Sequence, residues 1–395
     1  MKVLSMAWTI YDNRIETFQN SYTGAGMVIK NICEYIGRKE KSYLFIGKCH
    51  LSEQNLGNIT IVGTDFQLDE NDKDVVRDEM YLKNMTVKFE LALDRIKPDI
   101  VNFHGTGDLM QRCVRVCVKK NIPYVYTEHL YIGKQSKVEN YDKAIELETK
   151  LYNIPDIPVI TVSQGVKRKI LRDFPNISET LIQVIPNGTD FISEFVENDY
   201  LKKYSLENRK VLLCVGTLLQ RKNQMQLVDV YEKLPSEVRE RLKIIFCGVD
   251  SMQGQLQDRI IEKHLEEDLI YAGAVNREEM KKFYSIADGL IMPSLAEGLS
   301  IAALEAIAYG LPIVMFADLE GADELNDQKV TCLAEDRSDE ALTDAIMKWY
   351  EKEWDRDYIV QFSKRFTMEK MAENYLAYYA RRIEENKQKE QKCQA

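Results

Sequence analysis

Short apolar segments of strand length alternate with amphipathic segments of helix length along almost the whole chain, and this rhythm limits the fold more than any other feature. In the first half, strands are predicted at Lys2–Trp8, Ser42–Gly47, Asp99–His104, Pro123–Thr127, Pro158–Val162 and Leu181–Ile185. In the second half, strands are predicted at Lys210–Val215, Leu242–Cys247, Leu269–Tyr271, Gly289–Met292, Pro312–Met315 and Lys329–Leu333. Strands of Val, Ile and Leu joined by helices of about ten or more residues indicate parallel sheets covered on both faces.

Two such series predict an α/β protein with two doubly wound, Rossmann-like domains. A chain of 395 residues is long enough for both, at roughly 150 residues per domain. The boundary is expected in the polar stretch Pro186–Asn208. We therefore predict an N-terminal domain over residues 1–190 and a C-terminal domain over residues 191–366.

Charge and hydropathy restrict the possible partners. Lysines and arginines number 53 and acids 63, a formal net charge of −10, so no overall field attracts nucleic acid. No apolar run approaches the ~18 residues of a membrane span, and the N-terminus lacks the features of a secretion signal. We expect a cytoplasmic protein, and the eight cysteines form no disulfide framework.

Two predicted helices carry clusters of basic residues: Arg112, Arg115, Lys119 and Lys120 on one, and Lys167, Arg168, Lys169 and Arg172 on the other. Such clusters are either ordinary solvated helix faces or a contact with an acceptor or an anionic membrane surface. A peripheral contact with the inner membrane face is therefore one possible partner interaction.

The segment from Pro293 to Ser300 is the most informative about chemistry. It is a loop of small residues between a predicted strand and a helix that is expected to begin near Ser300. The first N–H groups of a helix lack partners and carry the positive end of the helix dipole, so this place suits a phosphate group. Gly298 is expected to let a ligand approach the main chain closely.

Glu297 and Glu305 stand eight residues apart around this loop. We expect a separation on the order of 10 Å. Paired glycosidase carboxylates lie roughly 5–9.5 Å apart, so these two acids fit better as groups that hold opposite ends of a long ligand. Glu305 can accept hydrogen bonds from ribose hydroxyls, and Glu297 from a second polyol. The plainer alternative is one exposed acid and one acid on a helix surface.

The order of strand, Pro-Ser-x-x-Glu-Gly, helix and Gly-x-Pro resembles the family-4 glycosyltransferases, whose two Rossmann-like domains face each other across a cleft in the GT-B fold. The core of the resemblance is the E-x7-E element, Glu297 and Glu305, followed by Gly310-Leu311-Pro312. Members are retaining enzymes that move a sugar from a nucleotide diphosphate donor to an acceptor. The resemblance implies that Glu297 binds the donor sugar and Glu305 the ribose. It also implies that the diphosphate is bound by the main chain of Gly298, Leu299, Ser300 and Ile301.

The resemblance extends to two loops that follow strands. Lys222 falls where the family has the lysine that binds the diphosphate. Thr217 stands where the family often has an arginine, and Arg221 is close enough in sequence to supply that second cation. Gly24 matches the second glycine of the family's glycine-rich loop, and Thr23 replaces the first. The implied role of Gly24 is a close approach to the diphosphate.

Three further residues follow predicted strands. His104 matches the active-site histidine that contacts the donor sugar, with a structural histidine as the alternative. His129 is either structural or an acceptor contact. Val275 lies where the family's main chain recognises the base, and Asn187 belongs to a segment that we interpret as an interdomain turn.

The resemblance implies a retaining glycosyltransferase that uses a nucleotide diphosphate sugar, with a UDP-sugar favoured, and a carbohydrate, lipid-linked or protein acceptor. No metal or other cofactor is expected, because Lys222, Arg221 and the helix N-terminus supply positive charge. A last helix near residues 367–385 is expected to pack back on the first domain. Two alternatives stay open: a non-catalytic acceptor-binding subunit, favoured by Thr23 and Thr217, and a nucleotide-sugar epimerase.

Overall fold

The structure, a computed structural model, describes residues 1–10, 24–47, 53–64, 79–134, 141–194 and 196–394. Its strands are β1 (Lys2–Ala7), β2 (Lys41–Ile46), β3 (Gln54–Leu56), β4 (Ile59–Val62), β5 (Ile100–His104), β6 (Tyr124–Glu128), β7 (Val159–Thr161), β8 (Ile182–Val184), β9 (Lys210–Val215), β10 (Leu242–Cys247), β11 (Leu269–Gly273), β12 (Gly289–Met292), β13 (Ile313–Phe316) and β14 (Thr331–Ala334). Its helices are α1 (Gly24–Gly37), α2 (Glu79–Ile96), α3 (Asp108–Lys119), α4 (Asp142–Tyr152), α5 (Gln164–Asp173), α6 (Tyr200–Lys203), α7 (Gln226–Lys233), α8 (Ser236–Arg239), α9 (Gln255–Glu262), α10 (Arg277–Ile286), α11 (Ile301–Ala308), α12 (Ala322–Leu325), α13 (Asp339–Glu351), α14 (Arg356–Ser363) and α15 (Met368–Gln394).

The described strands form two sheets. The first has the order β3-β4-β2-β1-β5-β6-β7-β8 and the second the order β11-β10-β9-β12-β13-β14. All neighbours run parallel except the antiparallel pair β3–β4. The strand order reverses on either side of β1 and of β9, which creates a crevice at the carboxyl ends of the strands in each domain. The prediction of two doubly wound α/β domains is confirmed.

Both faces of each sheet are covered, which explains why the central strands are predominantly apolar. In β1, Leu4 and Met6 pack into one cluster while Val3 packs into another on the opposite face. In β9, Leu213 and Leu212 likewise belong to different clusters. Successive side chains of a strand point to opposite faces, so burial on both sides favours apolar residues at successive positions of the strand.

The chain passes between the sheets twice, and the two passages pair with each other. The N–H of Thr189 donates to the carbonyl of Phe366 at 2.8 Å, and the N–H of Met368 donates to the carbonyl of Thr189 at 3.2 Å. After the second passage α15 lies along α1, and the amide of Asn102 donates to the hydroxyl of Tyr379 at 2.6 Å. The domain bounds at residues 1–190 and 191–366 stay a prediction.

One pair of strands was not expected. No strand is predicted between residues 48 and 98, yet the hairpin β3–β4 extends the first sheet there. Its turn contains Gly57 with φ at 60°, a left-handed conformation that glycine adopts readily. Strands of three and four residues are too short to show an apolar periodicity, so this hairpin left little signal in the sequence.

Candidate active site

A cavity of about 330 Å³ lies between the two domains. The first domain contributes the start of α1 and the residues His129 and Leu130, which follow β6. The second domain contributes the loop after β9 and the loop and helix α11 after β12. The cavity therefore occupies the crevice at the carboxyl ends of the strands, where ligands of open α/β sheets bind.

Two helices, one from each domain, begin at this cavity. α1 starts at Gly24 and α11 follows Ser300, and a Cβ atom at Gly24 would lie 4.0 Å from Cγ1 of Ile301. Neither helix has an acidic residue in its first turn, and the Ser300 side chain makes no capping hydrogen bond. Two positive helix ends therefore converge on one space, which suits an anionic group such as a diphosphate.

Two cations and a carboxylate lie together on the wall of the second domain. Nζ of Lys222 donates a hydrogen bond to Oε1 of Glu297, and Nη1 of Arg221 lies 3.3 Å from the same oxygen. The hydroxyl of Ser294 also donates to that oxygen, at 3.1 Å. Burial raises the pKa of Glu297, but Lys222 and Arg221 outweigh it and hold that pKa below its usual value. Glu297 is ionised at neutral pH, and the three residues together keep a net positive charge.

Position 298 requires a glycine because the main chain of the first domain lies very close to its Cα atom. A Cβ atom at Gly298 would lie 2.0 Å from the carbonyl oxygen of His129 and 2.7 Å from Cγ2 of Val162. The group that approaches Gly298 most closely is therefore the loop after β6, not only a ligand as the sequence suggested. Asn187 supports the same arrangement, since its amide donates to the carbonyl of Leu299 at 2.9 Å.

Glu305 is buried on α11 and differs from Glu297 in its surroundings. It is 7% exposed, and its Oε2 accepts a hydrogen bond from the hydroxyl of Tyr284 at 3.0 Å. Burial raises the pKa of Glu305 to about 7, against the opposing effect of Arg277. The pKa values of the two acids of the E-x7-E element are therefore shifted in opposite directions, which is typical of carboxylates with different roles.

His104 and His129 contact each other, and His129 is the member of the pair that lines the cavity. Nδ1 of His104 lies 3.0 Å from Nε2 of His129, and the rings stack with their centroids 5.2 Å apart. Loss of contact with water lowers the pKa of His129 to about 4. Burial, with a smaller effect of His129, lowers the pKa of His104 well below its usual value. Both rings are neutral at neutral pH, so one donates and the other accepts.

Nine of the eleven predicted site residues line the cavity: Gly24, Arg221, Lys222, Glu297, Gly298, Leu299, Ser300, Ile301 and Glu305. The other two do not. His104 is separated from it by its contact with His129, and Val275 packs against the core of the second domain. Their predicted roles, like those of the nine, stay predictions. Thr23 lies outside the described residues, as does most of the loop from Thr9 to Thr23.

Sequence reasoning did not assign several cavity residues to the site. Asn187 lines the cavity, although we interpreted its turn as a connection between domains only. Thr217 also lines it, on the wall that Arg221 and Lys222 share. Tyr284 reaches the site through its hydrogen bond to Glu305 and lies on α10, where no sequence signal marked it. The motif that contains Asn187 and the family position of Thr217 were the available signals among these three.

Six of the eight residues in the two basic clusters form ion pairs inside the chain. The six are Arg112, Lys120, Lys167, Arg168, Lys169 and Arg172. Arg168 pairs with Asp323 and Lys169 with Glu320, so part of the cluster on α5 contacts the second domain. Within the described parts of the chain, no helix combines the length and apolarity needed to cross a membrane.

Comparison with solved structures identifies the fold of the chain. Sucrose-phosphate synthase from Thermosynechococcus elongatus superposes with a TM-score of 0.72 at 16% identity, covering 96% of this chain and 99% of that one. HepE from Anabaena, solved in complex with UDP and glucose, gives a TM-score of 0.68 at 14% identity, covering 96% and 99%. The chain has the GT-B fold, as predicted.

Family comparisons carry the assignment further. The family described as "Glycosyl transferases group 1" matches residues 196–366, and "Glycosyltransferase Family 4" matches residues 76–191. These two matches confirm the predicted resemblance to the family-4 glycosyltransferases. O-antigen chain mannosyltransferase B of Escherichia coli is 29% identical over 160 residues, 40% of this chain and 42% of that enzyme. The chain spans about half the length of the first curated relatives it matches, 57% and 42%.

Proposed function

We propose that this chain is a retaining, metal-independent glycosyltransferase that moves a sugar from a UDP-sugar to an acceptor hydroxyl in polysaccharide or glycoconjugate synthesis. The observation that carries the proposal is the convergence of Lys222, Arg221 and two helix N-termini beside Glu297 in one cavity. The likeness to an O-antigen mannosyltransferase supports a carbohydrate acceptor, and the likeness to HepE with UDP and glucose supports the nucleotide.

In the proposed reaction, the bond between the anomeric carbon and the diphosphate oxygen breaks while the acceptor oxygen bonds to that carbon from the same face. The acceptor proton passes to an oxygen of the leaving diphosphate. Negative charge builds on this leaving group, where Lys222, Arg221 and the two helix ends stabilise it. The rate then comes mainly from positioning and from charge stabilisation.

Same-face attack agrees with the surroundings of Glu297. This carboxylate is engaged by Lys222, by Arg221 and by the hydroxyl of Ser294. A carboxylate held in that way suits a hydrogen-bond acceptor for sugar hydroxyls better than a nucleophile for the anomeric carbon, because its charge is already shared by two cations. Retention then follows from the single face on which bonds break and form.

The remaining site residues divide between the two ends of the donor. We assign Glu305 to the ribose hydroxyls and the main chain of residues 298–301 to the diphosphate. His129 lines the cavity and is therefore better placed than His104 to contact the donor sugar. His104 acts in this scheme by orienting the ring of His129, 3.0 Å away. Recognition of the base near Val275 stays a prediction.

The two alternative functions give different products. A non-catalytic subunit was favoured by Thr217, which replaces a cation that the family often has, but Arg221 places a guanidinium at the cavity. Such a subunit would bind UDP or an acceptor without turnover. An epimerase would release a free epimerised sugar nucleotide without any acceptor. No observation of the site favours either alternative over transfer.

A panel of UDP-, GDP- and ADP-sugars tests the proposal, with hydrolysis and transfer followed by mass spectrometry. The variant Lys222→Ala should lower the rate on the order of 10²- to 10³-fold, the usual cost of removing one group that stabilises developing charge. Lys233→Ala is the matched control, since Lys233 pairs with Asp339 at 3.0 Å on the surface of the same domain. The variant should leave the rate unchanged. Wild-type turnover in a folded Lys222→Ala protein would contradict the site, and inversion at the anomeric carbon would contradict retention.

Independence from metals is part of the proposal. Among the residues that the structure describes, no three His, Cys, Asp or Glu side chains are grouped to hold a metal ion. The charge that a metal supplies elsewhere is assigned here to Lys222, Arg221 and the helix ends. A cytoplasmic location and a peripheral membrane contact stay predictions. The ion pairs within both basic clusters leave fewer free cations for a membrane than their sequences suggest.

A further inference from the structure

Glu320 is a buried acid, outside the E-x7-E element, that contacts both domains. It lies between β13 and α12 and is 1% exposed. Its Oε2 accepts the N–H of Glu297 at 2.9 Å. Its Oε1 accepts a hydrogen bond from Nζ of Lys169, which lies on α5 in the first domain. One carboxylate therefore joins the main chain of a site residue to a helix of the other domain.

The surrounding contacts hold α5 tightly against this segment. A Cβ atom at Gly165 would lie 2.3 Å from the carbonyl oxygen of Glu320, so glycine alone permits the observed approach of the two main chains. The N–H of Gln164 donates to Oε1 of Glu324 at 2.7 Å, and Arg168 pairs with Asp323. The first turn of α5 thus docks on residues 320–324 of the second domain through both backbone and side chains.

The energetics make Glu320 dependent on Lys169. A buried carboxylate is costly unless it is paired, and removal of its partner leaves an uncompensated charge. Among the described groups, the cation that forms an ion pair with Glu320 is Lys169. Without that ammonium group, the carboxylate gains by moving toward water. Such a movement would release the N–H of Glu297 and displace the loop that carries this residue.

We propose that Glu320 and Lys169 are positioning residues that place Glu297 correctly only while the two domains are docked. The inference rests on the proposed function and deepens it. Glu320 does not reach the cavity, but it holds the main chain of Glu297 from behind, while Lys222 and Arg221 hold the side chain. Contact between the domains and the geometry of the donor-sugar site are therefore coupled through one ion pair.

Kinetic measurements test the coupling with three variants of α5. Lys169→Met should lower kcat by about 10- to 100-fold, since small misplacements of a positioned group have effects of that size. The affinity for UDP, measured by calorimetry, should change by less than about 3-fold, because all the assigned nucleotide contacts except the start of α1 lie in the second domain. Lys169→Arg should recover kcat to within about 3-fold because it restores the ion pair. Lys167→Met is the control, since Lys167 pairs with Glu179 inside the first domain.

A double-mutant cycle separates positioning from a general loss of structure. Glu320→Gln keeps an acceptor for the N–H of Glu297 but loses the charge, so it should resemble Lys169→Met. The double variant should be no slower than the slower single variant, within about 3-fold, because both changes break one interaction. Effects that multiply would overturn the proposal. So would wild-type kcat in a folded Lys169→Met protein.

Hydrogen exchange tests the same coupling without any substrate. The segment of residues 293–300 should exchange faster in Lys169→Met than in the wild type and at the wild-type rate in Lys167→Met. Equal exchange in all three proteins would overturn the proposal. If the wild type turned over no sugar nucleotide, the proposed function would fail while this measurement still decided the coupling.

Discussion

Replacement of Glu305 by glutamine should make the free protein more stable at alkaline pH. The carboxyl is 7% exposed and accepts one hydrogen bond from Tyr284. Burial raises its pKa from 4.5 to about 7. Glutamine has nearly the same shape, does not ionise, and offers an oxygen to the same tyrosine hydroxyl. The variant Glu305→Gln therefore removes a charge that the folded state disfavours.

The sign and size follow from proton linkage. The folded protein binds the Glu305 proton more tightly than the unfolded chain does, so this group lowers stability as the pH rises from about 4.5 to 7. Above pH 7 its full cost is present, about 3 kcal/mol for a shift of this size. Between pH 5 and pH 8, the stability of Glu305→Gln relative to the wild type should increase by about 2–3 kcal/mol.

Urea unfolding at a series of pH values measures this difference, because all other titrating groups are shared and cancel. Thermal unfolding should show it as a relative gain of roughly 5–10 °C at pH 8. Glu297→Gln is the control, and its change in stability should have the opposite sign. The reason is that Lys222 and Arg221 lower the pKa of Glu297 overall despite its burial. That variant should be less stable than the wild type at pH 8. Parallel pH profiles for Glu305→Gln and the wild type would refute the reasoning.

Three other outcomes are expected. Gly298→Ala should lower kcat at least about 10-fold, because its Cβ would lie 2.0 Å from the carbonyl of His129 and the interdomain contact must yield; steady-state kinetics checks this, and wild-type kcat would contradict it. His129→Asn should lower kcat by about 100-fold and His104→Asn by less, since His129 lines the cavity; equal losses would place both at the donor. Activity in EDTA should stay within about 2-fold of the untreated rate, because Lys222 supplies the charge; a strict requirement for a divalent cation would contradict the metal-free proposal.

The regular part of the fold could be predicted because its strands carry a strong signal. The central strands β9, β10, β12 and β13 of the second sheet are mostly apolar and buried, and both β9 and β10 begin and end at the predicted residues. The hairpin β3–β4 could not be predicted, since its strands have three and four residues. Burial on two faces produces a long apolar run, whereas a short edge hairpin does not.

The two histidines show where sequence spacing stops being informative. Both were predicted at the carboxyl ends of neighbouring strands. In the structure His104 is the last residue of β5 and stands in register with Ala7 and Thr127, so it remains within the sheet. His129 follows the last residue of β6 and therefore projects into the crevice. A difference of one residue at a strand end decides this, and apolar periodicity does not resolve strand ends so finely.

Arg221 and Lys222 supply two cations at the cavity, although Thr217 stands where the family often has an arginine. Both lie in the short turn Gln220–Lys222, which ends at Asn223 in a left-handed conformation with φ at 56°. From this turn, Nη1 of Arg221 donates to the carbonyl of Ala296 and lies 3.3 Å from Oε1 of Glu297, the oxygen that Lys222 also contacts. Nε of Arg221 has no hydrogen-bond partner among the described residues. The second cation is thus present at the cavity from another position, so Thr217 gives no support to a protein that only binds.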